Sequence, residues 1–200
     1  MKKLILSLLV AAFVGGNTLS AQTITKNEDG KYSLSVGHVT LTVDAQKGGK
    51  IVSYRYDDKE ILSQTKIPNS FGSTFWTSPQ SEWNWPPVPE YDTKPFNAEV
   101  AGDKLILTGE KSKRFGYRVR KELTTDKKDN AIVITYTIIN ESGETRKVAP
   151  WEISRVPNGG ILFFDAKEVT PANNMETMPF VYEKKAAWYT LDESRKNRKI

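Results

Sequence analysis

The feature that most constrains the fold is a series of short runs rich in Val, Ile, Thr and aromatic residues, in which apolar and polar side chains alternate. Gly, Asn and Asp clusters separate these runs about every ten residues, as in β-sandwiches. Because successive strand side chains point to opposite faces, the alternation predicts an all-β sandwich. The predicted strands are 32–36, 39–43, 50–57, 60–62, 98–101, 104–108, 115–124, 131–140, 147–156 and 161–164, with a strand or hairpin over 180–191.

The same alternation predicts which side chains share a face. The run 147–156 places Trp151 on its apolar side, with Arg155 at the end, and turns Glu152 to the other side. Arg118 falls on the charged side of its run. Such a charged face either meets water or, if the sheet is curved, lines a groove.

The N-terminus predicts export. Lys2 and Lys3 precede an eleven-residue apolar run, 4–14, and small residues lie just before Gln22. This pattern is typical of a secretory signal peptide, and the run is too short to span a membrane. We therefore expect residues 1–21 to be removed and residues 22–200 to form one periplasmic or extracellular domain, without a membrane segment.

Composition excludes several function classes. Loss of Lys2 and Lys3 lowers the 29 basic residues to 27 against 24 acidic ones, and the charges are mixed, so no nucleic-acid partner is expected. With no Cys and a single His, the chain predicts neither disulfides nor a transition-metal site. No phosphate-binding glycine loop is present, and no cofactor is expected. His38 lies in a predicted hairpin turn, where it is either a plain turn residue or a base. The oligomeric state is left open.

An aromatic stretch at 73–92, STFWTSPQSEWNWPPVPEYD, is predicted to form a loop. Trp76, Trp83 and Trp85 could fill one end of the sandwich, or they could stack on the apolar C–H faces of sugar rings while Asn84 binds hydroxyl groups. If the segment is extended, Trp83 and Trp85 share a side. The sequence leaves both interpretations open.

Glu152 is the candidate catalytic residue. Within a strand and next to apolar residues, its carboxyl group could have a raised pKa and serve as acid or base. It could equally pair with an arginine of the neighbouring strand. No second carboxylate is singled out by its spacing, so the pattern typical of glycoside hydrolysis is incomplete.

Three segments together resemble a family of exported bacterial domains with the galactose-mutarotase-like β-supersandwich: DAQKGGKIVSYRYDDKEIL (44–62), FGSTFWTSPQSEWNWPP (71–87) and the stretch 115–164. The resemblance implies carbohydrate binding on the concave face of a large antiparallel sheet. Aldose 1-epimerases of this superfamily use a His and a Glu there. The corresponding stretch 149–152 has no His, and the epimerase Glu would lie beyond Ile200, so ordinary mutarotase activity is not expected.

The charged end at 192–200 has no closing strand, which predicts a sandwich truncated at its C-terminal end or a fragment of a longer protein. The expected function is carbohydrate binding in a groove on the concave sheet face. The candidate ligand-binding residues are Trp76, Trp83, Asn84, Trp85, Arg118, Trp151 and Arg155. The alternatives are a sugar epimerase-like enzyme that uses Glu152, and a structural or partner-binding sandwich.

Overall fold

The protein is built almost entirely of β-strands. A computed structural model describes residues 23–65, 70–166 and 180–191, and these contain fourteen strands, one 3₁₀ turn and one short helix. The prediction of an all-β, antiparallel fold is confirmed. The elements are β1 Ile24–Lys26, β2 Tyr32–Val36, β3 Val39–Asp44, β4 Lys50–Tyr56, β5 Lys59–Glu60, β6 Ser73–Ser78, the 3₁₀ turn Gln80–Glu82, α1 Pro89–Asp92, β7 Asn97–Ala101, β8 Lys104–Thr108, β9 Tyr117–Asp126, β10 Ala131–Asn140, β11 Ala149–Ser154, β12 Ile161–Asp165, β13 Val181–Glu183 and β14 Ala186–Thr190.

The strands form three antiparallel sheets. The front sheet has the order β1-β2-β3-β4-β6-β11, with β5 paired to β4, and the back sheet has the order β10-β9-β8-β7. A small sheet, β12-β14-β13, contains the predicted strands 161–164 and 180–191, the latter as a hairpin. In the front sheet β11 is an edge strand, and in the back sheet β10 is one.

The core lies between the front and back sheets. Alternate side chains of each sheet point inward, and Leu34 and Leu41 of the front sheet are as fully buried as Val119 and Leu123 of the back sheet. Phe75 of β6 stacks on Tyr136 of β10, with ring centroids 4.7 Å apart, and so joins the two sheets. Burial of each large apolar side chain contributes roughly 1.5–3 kcal/mol, so this layer supplies most of the favourable free energy of folding.

The prediction of a loop over all of 73–92 is wrong for its first six residues. Residues 73–78 form β6, which pairs with β11 along its whole length and with β4 at Ile51. Every side chain from Ser73 to Thr77 is buried, so both faces of the strand are covered and no alternation marks it in the sequence. The loop begins only at Pro79, after a cis Ser78–Pro79 peptide bond.

Residues 79–96, which we call the aromatic loop, are fixed to the turn between β3 and β4. The backbone N–H of Gly48 donates to the carbonyl of Lys94 at 2.9 Å, and the N–H of Phe96 donates to the carbonyl of Ala45 at 2.7 Å. Tyr91 is 2% exposed, which anchors the loop in the core. The loop is therefore held by backbone hydrogen bonds as well as by its rings.

The predicted signal peptide, residues 1–21, and the charged segment 192–200 both lie outside the described residues. Within the described ranges, no helix has the length and apolar character that a membrane span requires.

Candidate functional site

Four of the five tryptophans form one group on the outer face of the front sheet, which we call the tryptophan cluster. The β6–β11 register places Trp76 directly opposite Trp151. Trp76 lies at the centre, with its ring centroid 5.6 Å from that of Trp151, 5.8 Å from that of Trp83 and 6.1 Å from that of Trp85. All three contacts are edge-to-face, the geometry favoured by the charge distribution of aromatic rings. The structure therefore brings together four of the candidate ligand-binding residues.

The four rings differ in exposure. Trp76 is 7% exposed and Trp83 is 3% exposed, so neither ring offers a free face. The indole N–H of Trp83 donates to the carbonyl of Thr77 at 2.9 Å, and that of Trp76 donates to Asp92 Oδ1 at 2.8 Å. Both side chains have the packing and hydrogen bonds of core residues.

Trp85, in contrast, is 69% exposed, and Trp151 is half-buried. Trp83 and Trp85 do not share a side, because Asn84 between them adopts a left-handed conformation with φ of 57°. This reversal turns one indole into the core and the next toward solvent. Asn84 itself is exposed. The ring faces open to a ligand are those of Trp85 and, in part, Trp151.

A shallow groove of about 380 Å³ runs beside the tryptophan cluster. Its walls are residues 78–81 at the start of the aromatic loop and Ala149, Pro150 and Trp151 of β11. The groove is open to solvent and offers hydroxyl and amide groups from Ser78, Gln80 and Ser81 beside the indole of Trp151.

Two basic side chains flank the cluster on the same face of the sheet. Arg155 Nη1 donates to Thr74 Oγ1 at 3.0 Å, and its guanidinium carbon lies 6.0 Å from the centre of the Trp76 ring. Lys50 is adjacent, because the β4–β6 pairing of Ile51 with Ser73 brings Lys50 beside Thr74. Its ammonium lies 4.0 Å from the centre of the Phe71 ring. Arg155 thus lies on the same side of the front sheet as Trp151, as the alternation of residues 147–156 predicts.

The electrostatics of this pair are unfavourable. Burial lowers the pKa of Lys50, and repulsion from Arg155 lowers that pKa further, while Asp92 opposes both effects. Burial likewise lowers the pKa of Arg155, against the attraction of Asp92 and Glu152. Sequence reasoning missed Lys50, because a lysine after a Gly-Gly turn has the pattern of an ordinary surface residue.

Glu152 lies on the opposite face of β11 from Trp151 and is directed toward the back sheet. Its carboxylate accepts a hydrogen bond from the Ser73 hydroxyl, which also contacts Ser154 Oγ at 2.7 Å. Burial raises the pKa of Tyr136, and the nearby Glu152 charge raises that pKa further. The structure therefore places the predicted catalytic carboxylate among hydroxyl groups, apart from the tryptophan cluster.

Lys121 is the second unpredicted residue of note. It is 3% exposed and lies between the sheets, where its ammonium donates to the carbonyls of Gly48 and Gly49, at 2.9 Å each. Loss of hydration lowers its pKa to about 8, against the attraction of Glu152 and Asp92. Because charges are rarely buried without a partner, Lys121 is a structural cross-link between a back-sheet strand and a front-sheet turn.

The low pKa of Lys121 predicts a pH dependence of stability. Between pH 8 and 10.5 the unfolded chain holds a proton that the folded protein releases, so stability must rise with pH in that window. The free energy of unfolding of the wild type, relative to that of Lys121→Met, should increase by up to about 1.4 kcal/mol per pH unit. Urea unfolding of both proteins from pH 7 to 10 measures this; parallel profiles would contradict it.

Arg118 does not join the tryptophan cluster, contrary to the expectation of a shared groove. It projects from the outer face of the back sheet, where its Nε lies 3.0 Å from Glu141 Oε1. The β9 alternation that buries Tyr117 and Val119 requires this outward direction. A second shallow groove, of about 450 Å³, lies between segments 111–116 and 141–146, and its Arg146 pairs with Glu144 at 2.9 Å.

The described residues contain no group of three or more His, Asp or Glu side chains placed to hold a metal ion.

The chain matches no family model and no curated protein. Among solved structures it is similar to the 4-alpha-glucanotransferase from Thermococcus litoralis, with a TM-score of 0.41 and 12% sequence identity. The match covers 69% of this chain and 28% of that chain. At this TM-score the likeness supports no conclusion about function, and the mutarotase-like architecture stays a prediction.

Proposed function

We propose that this protein binds carbohydrate on the outer face of the front sheet, with Trp85 and Trp151 as the stacking surfaces. The observation that carries the proposal is the 69% exposure of an indole that is nevertheless held edge-to-face against Trp76. An isolated exposed aromatic residue needs no explanation, but here a core tryptophan, Trp76, holds the exposed ring of Trp85 on one side and Trp151, which lines a groove, on the other. This combination suits a ligand with an apolar face.

Sugar rings fit the surroundings of these two indoles. A pyranose presents C–H groups on its faces and hydroxyl groups around its edge, so a site for it combines aromatic rings with nearby polar groups. Gln80 and Asn84 of the aromatic loop supply amide groups, and Ser78 and Ser81 supply hydroxyl groups. Because the groove is shallow and open, it favours a segment of a chain over an enclosed monosaccharide.

Trp85→Ala tests the proposal. In a glycan array followed by titration of the best ligand, the variant should bind at least tenfold more weakly, since an aromatic binding residue commonly contributes about 2 kcal/mol. The ligand should change the tryptophan fluorescence of the wild type.

Tyr56→Ala is the matched control, because Tyr56 is another exposed aromatic side chain, 55% exposed, on β4. It should bind as the wild type does. An array without any hit, or equal affinity of Trp85→Ala and the wild type, would argue for a structural or partner-binding sandwich instead.

The alternative of an epimerase-like enzyme has weaker support. Glu152 and Trp151 are neighbours on β11 and therefore project from opposite faces of the front sheet. A sugar stacked on Trp85 and Trp151 would lie on the face that Glu152 does not share. Turnover abolished in Glu152→Gln, with binding retained, would restore the enzymatic interpretation.

A further inference from the structure

A concentration of positive charge borders the proposed sugar site. The side chains of Lys50 and Arg155 lie on the same face of the front sheet as the tryptophan cluster, and Lys47 adds a third charge that acts on Lys50. The carboxylate whose attraction reaches both Lys50 and Arg155 is that of Asp92. The Asp92 carboxylate already accepts a hydrogen bond from the Trp76 indole.

Within the described ranges, Lys50 and Arg155 lack the ion pairs and the full hydration that ordinary surface cations have. Lys50 is 4% exposed, and among the described residues neither Lys50 nor Arg155 forms an ion pair within 4.0 Å. Lys50 contacts the Phe71 ring, and Arg155 uses one Nη to donate to Thr74 Oγ1 and, at 3.4 Å, to the Ile153 carbonyl. In the part of the chain that the structure describes, their other side-chain N–H groups have no hydrogen-bond acceptor. Buried charge is costly unless a counter-charge is present, so this arrangement is favourable when an anion is bound.

We propose that the sugar recognised here is anionic, and that Arg155 binds its acidic group next to the buried charge of Lys50 while Trp85 and Trp151 stack on its rings. This inference rests on the proposed carbohydrate binding and adds the class of sugar. A planar guanidinium matches a carboxylate or a sulfate with two parallel hydrogen bonds, and the ammonium adds a point charge. Uronic acids and sulfate esters both supply such a group.

The test compares charged glycans with matched neutral ones. Oligomers of galacturonate, glucuronate, mannuronate and guluronate are each paired with their methyl esters, and a sulfated galactan oligomer is paired with its desulfated form. At least one free acid or sulfated oligomer should bind about tenfold more tightly than its neutral partner, because charge-assisted hydrogen bonds exceed neutral ones. Added salt should weaken binding of the charged oligomer and leave that of the neutral one unchanged.

Lys50→Met and Arg155→Met identify the residues responsible. Lys50→Met retains the length of the side chain and its contact with Phe71, so it should bind the neutral oligomer as the wild type does. The ratio of its affinities for the charged and the neutral oligomer should fall toward one. Arg155→Met should act in the same direction and serves if Lys50→Met does not fold. Lys104→Met, a change of a half-exposed lysine on the back sheet, is the control and should retain the full preference.

The outcomes separate the two proposals. Equal affinity for charged and neutral partners, or a preference that survives both methionine variants, overturns the assignment of an anionic sugar and leaves carbohydrate binding intact. Absence of binding to every oligomer, charged or neutral, overturns both.

Discussion

Replacing Lys121 with alanine should lower the free energy of unfolding by about 3 kcal/mol, even though the residue is charged. The substitution leaves the carbonyls of Gly48 and Gly49 without their donor and creates a cavity where the aliphatic stem lay. Relief from burying an ammonium offsets part of this loss. Urea unfolding monitored by tryptophan fluorescence measures the change.

Two companion variants separate these causes. Lys121→Met keeps the volume of the stem and loses the donors, so it should be less destabilised than Lys121→Ala. Arg120→Ala changes the neighbouring residue of β9, which points outward and whose Nη2 lies 3.0 Å from Glu122 Oε1. This substitution should lower the free energy of unfolding by less than about 1 kcal/mol. If Lys121→Ala and Arg120→Ala proved equally stable, the cross-link would not be a significant source of stability.

Gly48→Ala should be destabilising by about 3 kcal/mol or more. Its backbone has φ of 63°, which costs an L-residue about 1–2 kcal/mol. A Cβ there would also lie 2.5 Å from the carbonyl oxygens of Tyr91 and Asp92, so the backbone of the aromatic loop would have to move. The same denaturation experiment measures the effect.

Gly102→Ala is the matched control for Gly48→Ala. Gly102 has nearly the same φ, 62°, and its Cβ would meet no atom within 4 Å. This variant should show the backbone cost alone, about 1–2 kcal/mol. The excess cost of Gly48→Ala over Gly102→Ala therefore reports the close approach of the aromatic loop, and equal values would show that the loop is free to shift.

Strands with one solvent-facing side could be predicted from the sequence, whereas β6, which has no solvent-facing side, could not. The runs 32–36, 104–108 and 131–140 have the predicted bounds, because one side of each packs against the core and the other side is more exposed. In β6 both faces are buried, so apolar and polar residues do not alternate along it. The prolines that follow this strand favour a loop, and the loop was therefore predicted to begin too early.

The candidate site was predictable only in part. Trp76 and Trp151 are brought together by strand register, and Arg155 follows from alternation along β11. Lys50 and Lys121 could not be found, since a lysine is normally exposed and no local pattern shows that a chain distant in sequence covers it. Trp83 is buried and Trp85 is exposed because the backbone at Asn84 is left-handed, which the sequence does not show.

The attachment of the aromatic loop to the β3–β4 turn bears on the kinetics of binding. The β3–β4 turn binds the aromatic loop through backbone hydrogen bonds. The Lys121 ammonium fixes this turn, because it donates to the Gly48 carbonyl. The stacking surface that we propose, formed by Trp85 and Trp151, is thus in place without a ligand, so we expect little ordering entropy to be lost if a sugar binds there. We expect association without a slow conformational step, and affinities for different glycans that differ mainly in their dissociation rates.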